Sequence, residues 1–161
     1  VNDNCDTDPD ITHSDNLAAA SCAGETIITR TWTVTDDCGN ATSLDQKITV
    51  KDNLAPTFTV PGPVTIFKDE NCDYNADPSI TGNPTDVNDN CDPSPGITYS
   101  DVAVPGSCMG EEIITRSWKV TDDCGNFTVY KQIITAKDNT GPVITNISAT
   151  PYSLWPPIHK M

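Results

Sequence analysis

The chain has 161 residues, with nine Lys plus Arg against 23 Asp plus Glu, a net charge of −14 and a pI near 4.1. Such a field repels phosphate backbones and anionic headgroups, and no apolar run approaches the roughly 20 residues of a membrane-spanning helix, so nucleic acid and direct membrane insertion are both excluded as expectations. The apolar 36% is mostly Val, Ile and Ala beside abundant Thr, a β-branched stock that predicts strands and very little helix.

Residues 1–53 align with residues 87–139 at a constant offset of 86, without a gap, and 34 of the 53 positions are identical. This is an internal repeat. Its blocks are VNDNCD (Val1–Asp6 and Val87–Asp92), IITR (Ile27–Arg30 and Ile113–Arg116), VTDDCGN (Val34–Asn40 and Val120–Asn126) and KDN (Lys51–Asn53 and Lys137–Asn139). Pro56 and Pro142 lie one period apart, each just past KDN, where a rigid extended residue starts a new unit. The expected organisation is therefore the C-terminal part of one repeat (1–53), one complete repeat (54–139) and the start of a third (140–161).

In chain order, the complete unit shows period-two alternation at Phe58 and Val60, Val64 and Ile66, Ile97 and Tyr99, Ile114, Trp118 and Val120, and then Tyr130 and Ile134. These are the expected core-facing strand positions. Turns are expected at Pro61-Gly62-Pro63, Thr81-Gly82-Asn83-Pro84, Pro105-Gly106 and Cys124-Gly125-Asn126. Six or seven such strands in about 86 residues predict a β-sandwich, so the expected fold is all-β, built from tandem immunoglobulin-like units with disulfides. Arg116, and Arg30 one period before it, fall in phase with the inward Trp118 and Trp32; the expectation is a strand-end Arg stacked on the indole and reaching solvent or a carboxylate, the alternative a ligand contact.

Seven cysteines stand beside Asp and Asn rather than in CxxC pairs, and His13 and His159 are isolated, which points to disulfides in an oxidising compartment rather than zinc. The complete unit has Cys72, Cys91, Cys108 and Cys124; the partial one has Cys5, Cys22 and Cys38, matching the last three. Four cysteines allow three connectivities. Antiparallel strands would place Cys91 and Cys124 at one end of the unit and Cys72 and Cys108 at the other. The expected bridges are thus Cys91–Cys124, Cys72–Cys108 and Cys5–Cys38, with Cys22 single.

The same arrangement gathers acidic segments where Lys51-Asp52-Asn53 enters the next unit. Asp and Asn oxygens in a cluster suit a hard cation, since Ca²⁺ takes about six to eight oxygen ligands. Expected Ca²⁺ ligands are Asp52, Asn53, Asp86, Asp89, Asp92, Asp122 and Asp123, with Asp138 leading into a following junction. The competing reading makes these residues turn formers and solubilising charge. N-x-[ST] sequons occur at Asn40, Asn126 and Asn146.

The pattern DNCD (3–6), TRTWTVTDDCGN (29–40) and ITVKDNLAP (48–56) resembles the HYR-like, immunoglobulin-like tandem repeats of long secreted and cell-surface proteins, most of all the Bacteroidota type, including gliding-motility adhesins exported by the type IX pathway. The segment Ala149–Met161 is similar to an LWPPNHKM stretch that opens a further repeat in such proteins, with Ile158 in place of Asn. The linkers KDNLAP and KDNTGP are similar to the DNAP-type calcium linkers of cadherins, which implies a ligand role for Asp52, Asn53, Asp138 and Asn139. The resemblance implies an extracellular or cell-surface stalk or adhesin segment whose partners are neighbouring repeats of the same chain. A ten-residue strand at roughly 3.3 Å per residue would make each unit at least about 33 Å long. The alternative is a direct binding module for surface glycans or a receptor, using aromatics such as Tyr74, Tyr152 or Trp155. An enzyme is not expected: no GxSxG or HExxH motif occurs, and the Asp122-Asp123 pair recurs as Asp36-Asp37.

Overall fold

The computed structural model describes residues 2–145. Most of the expected third repeat, with Tyr152, Trp155 and the sequon at Asn146, lies outside the described residues. The chain is all-β with several sheets, and helix among the described residues is limited to one turn, α1 (Pro78–Thr81).

Strands β1 (Asp10–Ala19), β2 (Thr26–Thr35) and β3 (Ala41–Val50) form an antiparallel three-stranded sheet in chain order. Then come β4 (Thr57–Thr59), β5 (Val64–Phe67), α1, β6 (Thr85–Asn88), β7 (Gly96–Pro105), β8 (Glu112–Thr121) and β9 (Phe127–Lys137). They make a β4–β6 ribbon and a four-stranded sheet ordered β5-β9-β8-β7, in which β5 runs parallel to β9. The starts of β1, β2 and β3 precede those of β7, β8 and β9 by 86 residues each.

The core sits between the ribbon and the larger sheet. Phe58 of β4 packs with Trp118 and Val120 of β8, joined by Val60 and Val87. A second cluster joins Ile66, Ile114, Ile134 and Ala136, with Val64, Tyr74 and Ala76 against it. The expected inward positions Ile97, Tyr99 and Tyr130 remain exposed. Ile97 and Tyr99 lie on the edge strand β7, while Tyr130 is on the interior strand β9; the rings of Tyr99 and Tyr130 pair with Trp118 and Phe58 respectively.

Arg116 is 1% exposed. Its guanidinium grips Asp101 with two hydrogen bonds of 2.8 and 2.7 Å, donates to Thr81 Oγ1 at 2.7 Å and to the Ala76 carbonyl, and stacks over Tyr99 and Trp118. Gln132 donates to the carbonyls of Thr81 and Gly62 and accepts from the Trp118 indole. These bonds close α1 over the open end of the sheet and satisfy polar groups whose burial would otherwise be costly. The β1–β3 sheet repeats the same side chains, Arg30 with Asp15 and Trp32 with Gln46, at its surface.

Candidate metal centre

The connector after β3 runs directly into the loop ends of the β4–β9 region. Three segments meet there. The DNCD loop is an Asx turn: Asp89 Oδ1 accepts from the backbone N–H groups of Cys91 and Asp92 at 2.9 and 2.8 Å. In the TDDCGN turn, Asp122 Oδ1 accepts from Asn126 N at 2.7 Å and Oδ2 from Asn126 Nδ2 at 2.8 Å, while Gly125 supplies a φ of 91° that side-chain-bearing residues rarely adopt. In the incoming connector, Asp52 Oδ1 accepts from Leu54 N and from Asn90 Nδ2, and the Asp52 carbonyl accepts from Asn126 Nδ2.

Asp52, Asp89 and Asp122 each offer one carboxylate oxygen, and these oxygens lie within 4.8 Å of one another. Asp52 Oδ2 and Asp89 Oδ2 are buried and have no hydrogen-bond partner. Bonds from the Asp92 and Cys91 amides hold the Asp89 carboxyl below the usual carboxylate range, so it is ionised at neutral pH. At an effective dielectric of about 20, unit charges this close repel by roughly 3–4 kcal/mol per pair. A cation bound among these carboxylates would relieve that repulsion. The donors are all oxygen and all carboxylate, a set suited to a hard divalent ion such as Ca²⁺. The residues present therefore fit the cation their sequence pattern implies.

The remaining expected ligands have other work. Asp92 bridges its own loop to the next, accepting from Ser94 N and Asp123 N. Asp123 Oδ2 accepts from Ala23 N at 3.2 Å. Asp86 sits at φ 51° and accepts from Thr85 Oγ1. Asn53 is exposed, and Asp138 caps its own turn by accepting from Thr140 N. Asn126, expected as a turn residue and a sequon, commits its amide to Asp122 and Asp52.

The cysteines correct the expected connectivity. Cys124 is bonded to Cys22 of the preceding repeat block, with Cα atoms 5.1 Å apart, and not to Cys91. Cys22, expected to be single, is thus the bridged one, and the bond ties the β1–β3 sheet to the β4–β9 region. The physical reason is Gly24. A Cβ on it would meet Asp52 Cβ at 2.5 Å and Cys91 Cβ at 2.9 Å, so only glycine lets the 22–24 turn settle this close. Cys91 remains a thiol, pushed up in pKa first by burial and then by the carboxylates of Asp52 and Asp89. It is a poor nucleophile toward the neighbouring bridge. Cys5 and Cys38 are both exposed thiols, as are Cys72 and Cys108, so neither of the other two expected pairs is bonded.

Of the aromatics considered for ligand binding, Tyr74 packs on the core and donates its hydroxyl to Glu112 at 3.0 Å. No helix among the described residues is long and apolar enough to cross a membrane. Comparison with known protein families and with curated protein sequences gave no match. What fold and site define is the class: an all-β, disulfide-bonded chain with a carboxylate cluster where two repeat blocks meet.

Proposed function

We propose that the chain is a stretch of an extracellular stalk or adhesin, built from immunoglobulin-like β-sandwich units with a period of 86 residues, in which Ca²⁺ stiffens each junction. The units are residues 1–53, 54–139 and 140–161, the first and last being partial. Their work is mechanical, to hold a distal region away from a surface, and no catalytic step is involved.

The observation that carries this reading is the origin of the three carboxylates. Asp52 comes from the connector leaving one repeat block, Asp89 and Asp122 from the next, and two of the three carry a buried oxygen with no hydrogen-bond partner. A cation held there ties one unit to its neighbour. The Cys22–Cys124 bond joins the same two blocks, and disulfides persist in oxidising surroundings such as the cell exterior. Stability in such an array is the sum of each unit and its contacts with neighbours.

Small-angle scattering of the EDTA-stripped chain, repeated after Ca²⁺ addition, tests the proposal. A longer maximum dimension and a narrower distribution with Ca²⁺ are expected. An unchanged profile would leave the rod to its disulfide and packing alone and remove Ca²⁺ from the account.

A further inference from the structure

The carboxylate cluster and the Cys22–Cys124 bridge share a wall. Asp122 and Cys124 stand in the same TDDCGN turn, and Asp52 lines a cavity of about 190 Å³ together with Cys22, Lys51, Asp123 and Cys124. On the side of the first block, Cys22 is tied to Asp52 through its own turn. Ser21 Oγ donates to Glu25 Oε2 at 2.8 Å, and Glu25 Oε1 pairs with Lys51 at 3.4 Å. Gly24 lies so close to the connector that a Cβ on it would meet Asp52 Cβ at 2.5 Å. A movement of the 21–25 turn is therefore felt at Asp52.

The polar ties across the junction are long. Asn90 Nδ2 reaches Asp52 Oδ1 at 3.2 Å, Asn126 Nδ2 reaches the Asp52 carbonyl at 3.3 Å, and Ala23 N reaches Asp123 Oδ2 at 3.2 Å. The bonds that shape Asp89 and Asp122 within their own loops run from 2.7 to 2.9 Å. Hydrogen bonds at the end of their range contribute little against the mutual repulsion of three carboxylates. Beyond Asp52 the connector is anchored by buried Pro56 and by the pairing of Thr57 with Asn88. Before Asp52, the covalent anchor is the bridge.

We propose that Cys22–Cys124 is a redox control on the cation site. Closed, the bridge holds Asp52 against Asp89 and Asp122 for Ca²⁺; opened by a small thiol such as glutathione, it lets the 21–25 turn draw Asp52 away, and the site loses its cation. This control rests on the reading of the cluster as a Ca²⁺ site. Both bridge cysteines are half-buried, within reach of a small thiol, and the other five cysteines are thiols already, so a reductant opens this bond alone. In that step two glutathione thiols are oxidised to one glutathione disulfide, the Cys22–Cys124 bond breaks, and the two hydrogens end on the two cysteine sulfurs. Coupling between two equilibria is reciprocal, so Ca²⁺ in turn protects the bridge from the thiol.

The test uses the full chain. Calorimetric titration compares Ca²⁺ affinity in the unsubstituted, oxidised chain with that in Cys22→Ser, where a loss of at least about tenfold is expected. A glutathione series with saturating Ca²⁺ or with EDTA then follows bridge opening by alkylation and peptide mapping, and Ca²⁺ should raise the thiol needed by a similar factor. Gly24→Ala, which keeps both cysteines but presses on Asp52, should also weaken Ca²⁺ with the bridge still mapped. Near-ultraviolet circular dichroism reports whether Cys22→Ser is folded; if it is not, Gly24→Ala and the glutathione series decide. Equal affinity in all folded variants, or bridge opening indifferent to Ca²⁺, would overturn the redox control and leave the Ca²⁺ site standing. Absence of Ca²⁺ binding to the oxidised chain would remove both.

Discussion

Strands β2 and β8 share seven of their ten residues, including Arg, Trp, Val and the IIT run, yet Trp32 is 37% exposed and Trp118 2%. Register and cross-strand partners are the same in both places: Arg30 holds Asp15 as Arg116 holds Asp101, and each indole donates to a Gln. The strands differ at three positions; the larger difference is in what lies over them. The β4–β6 ribbon and α1 cover β8, and no counterpart of them among the described residues covers β2. The repeat motif gives the same three antiparallel neighbours in both places, and in β7–β9 it gains a core from the ribbon and β5.

Matched substitutions in the two regions sharpen this contrast. The largest effect is expected at the indoles: Trp118→Ala should cost about 3–5 kcal/mol through lost burial and a cavity, Trp32→Ala about 1 kcal/mol or less, read from urea unfolding followed by circular dichroism. Equal costs would show that the β1–β3 sheet is covered too. Next comes the bridge. Cys22→Ser should lower stability by about 3 kcal/mol, because it frees a loop spanning 102 residues in the unfolded chain, whereas Cys91→Ser should be near neutral. The reverse ranking would restore the bridge within one unit that strand geometry alone suggested.

Slightly smaller is the arginine pair. Arg116→Ala strands Thr81 and the Ala76 carbonyl as well as Asp101, for an expected loss of about 2–3 kcal/mol, while the half-exposed Arg30–Asp15 pair should contribute about 0–1 kcal/mol. The smallest effect is acid sensitivity at the Ser107–Glu111 turn. Bonds from Ser107 hold the Glu111 carboxyl down at about 2, against an ordinary 4.5. Its contribution is therefore present above about pH 4.5 and fades as the pH falls toward 2, and Ser107→Ala should flatten that part of the pH–stability curve.

These contrasts also show what was legible beforehand. Alternation placed Phe58, Ile66, Ile114, Trp118, Val120 and Ile134 inward, and the phase of Arg116 with Trp118 foretold stacking and a carboxylate partner, although Arg116 lies in mid-strand and buried rather than at a strand end. The convergence of KDN, DNCD and TDDCGN brought Asp52, Asp89 and Asp122 together. Alternation reports a face and not its cover, so Ile97 and Tyr99 on the edge strand were misplaced. Asp92 and Asp123 share loops with Asp89 and Asp122, and only their positions in three dimensions leave them outside the group of oxygens within 4.8 Å of one another. Cys22 escaped because each unit was treated as closed, although Gly24, fixed at the same distance from KDN as Gly110, marks where a turn can approach its neighbour.

The central claim is that the orphaned oxygens of Asp52 and Asp89 belong to a Ca²⁺ site at the junction, and calorimetric titration of Ca²⁺ into the EDTA-stripped chain tests it most directly. The account predicts saturable binding in the unsubstituted chain, weakened at least about tenfold by Asp89→Asn and unchanged by Asp86→Asn, whose carboxylate lies outside the cluster. Absence of heat, or equal loss in both variants, would contradict it.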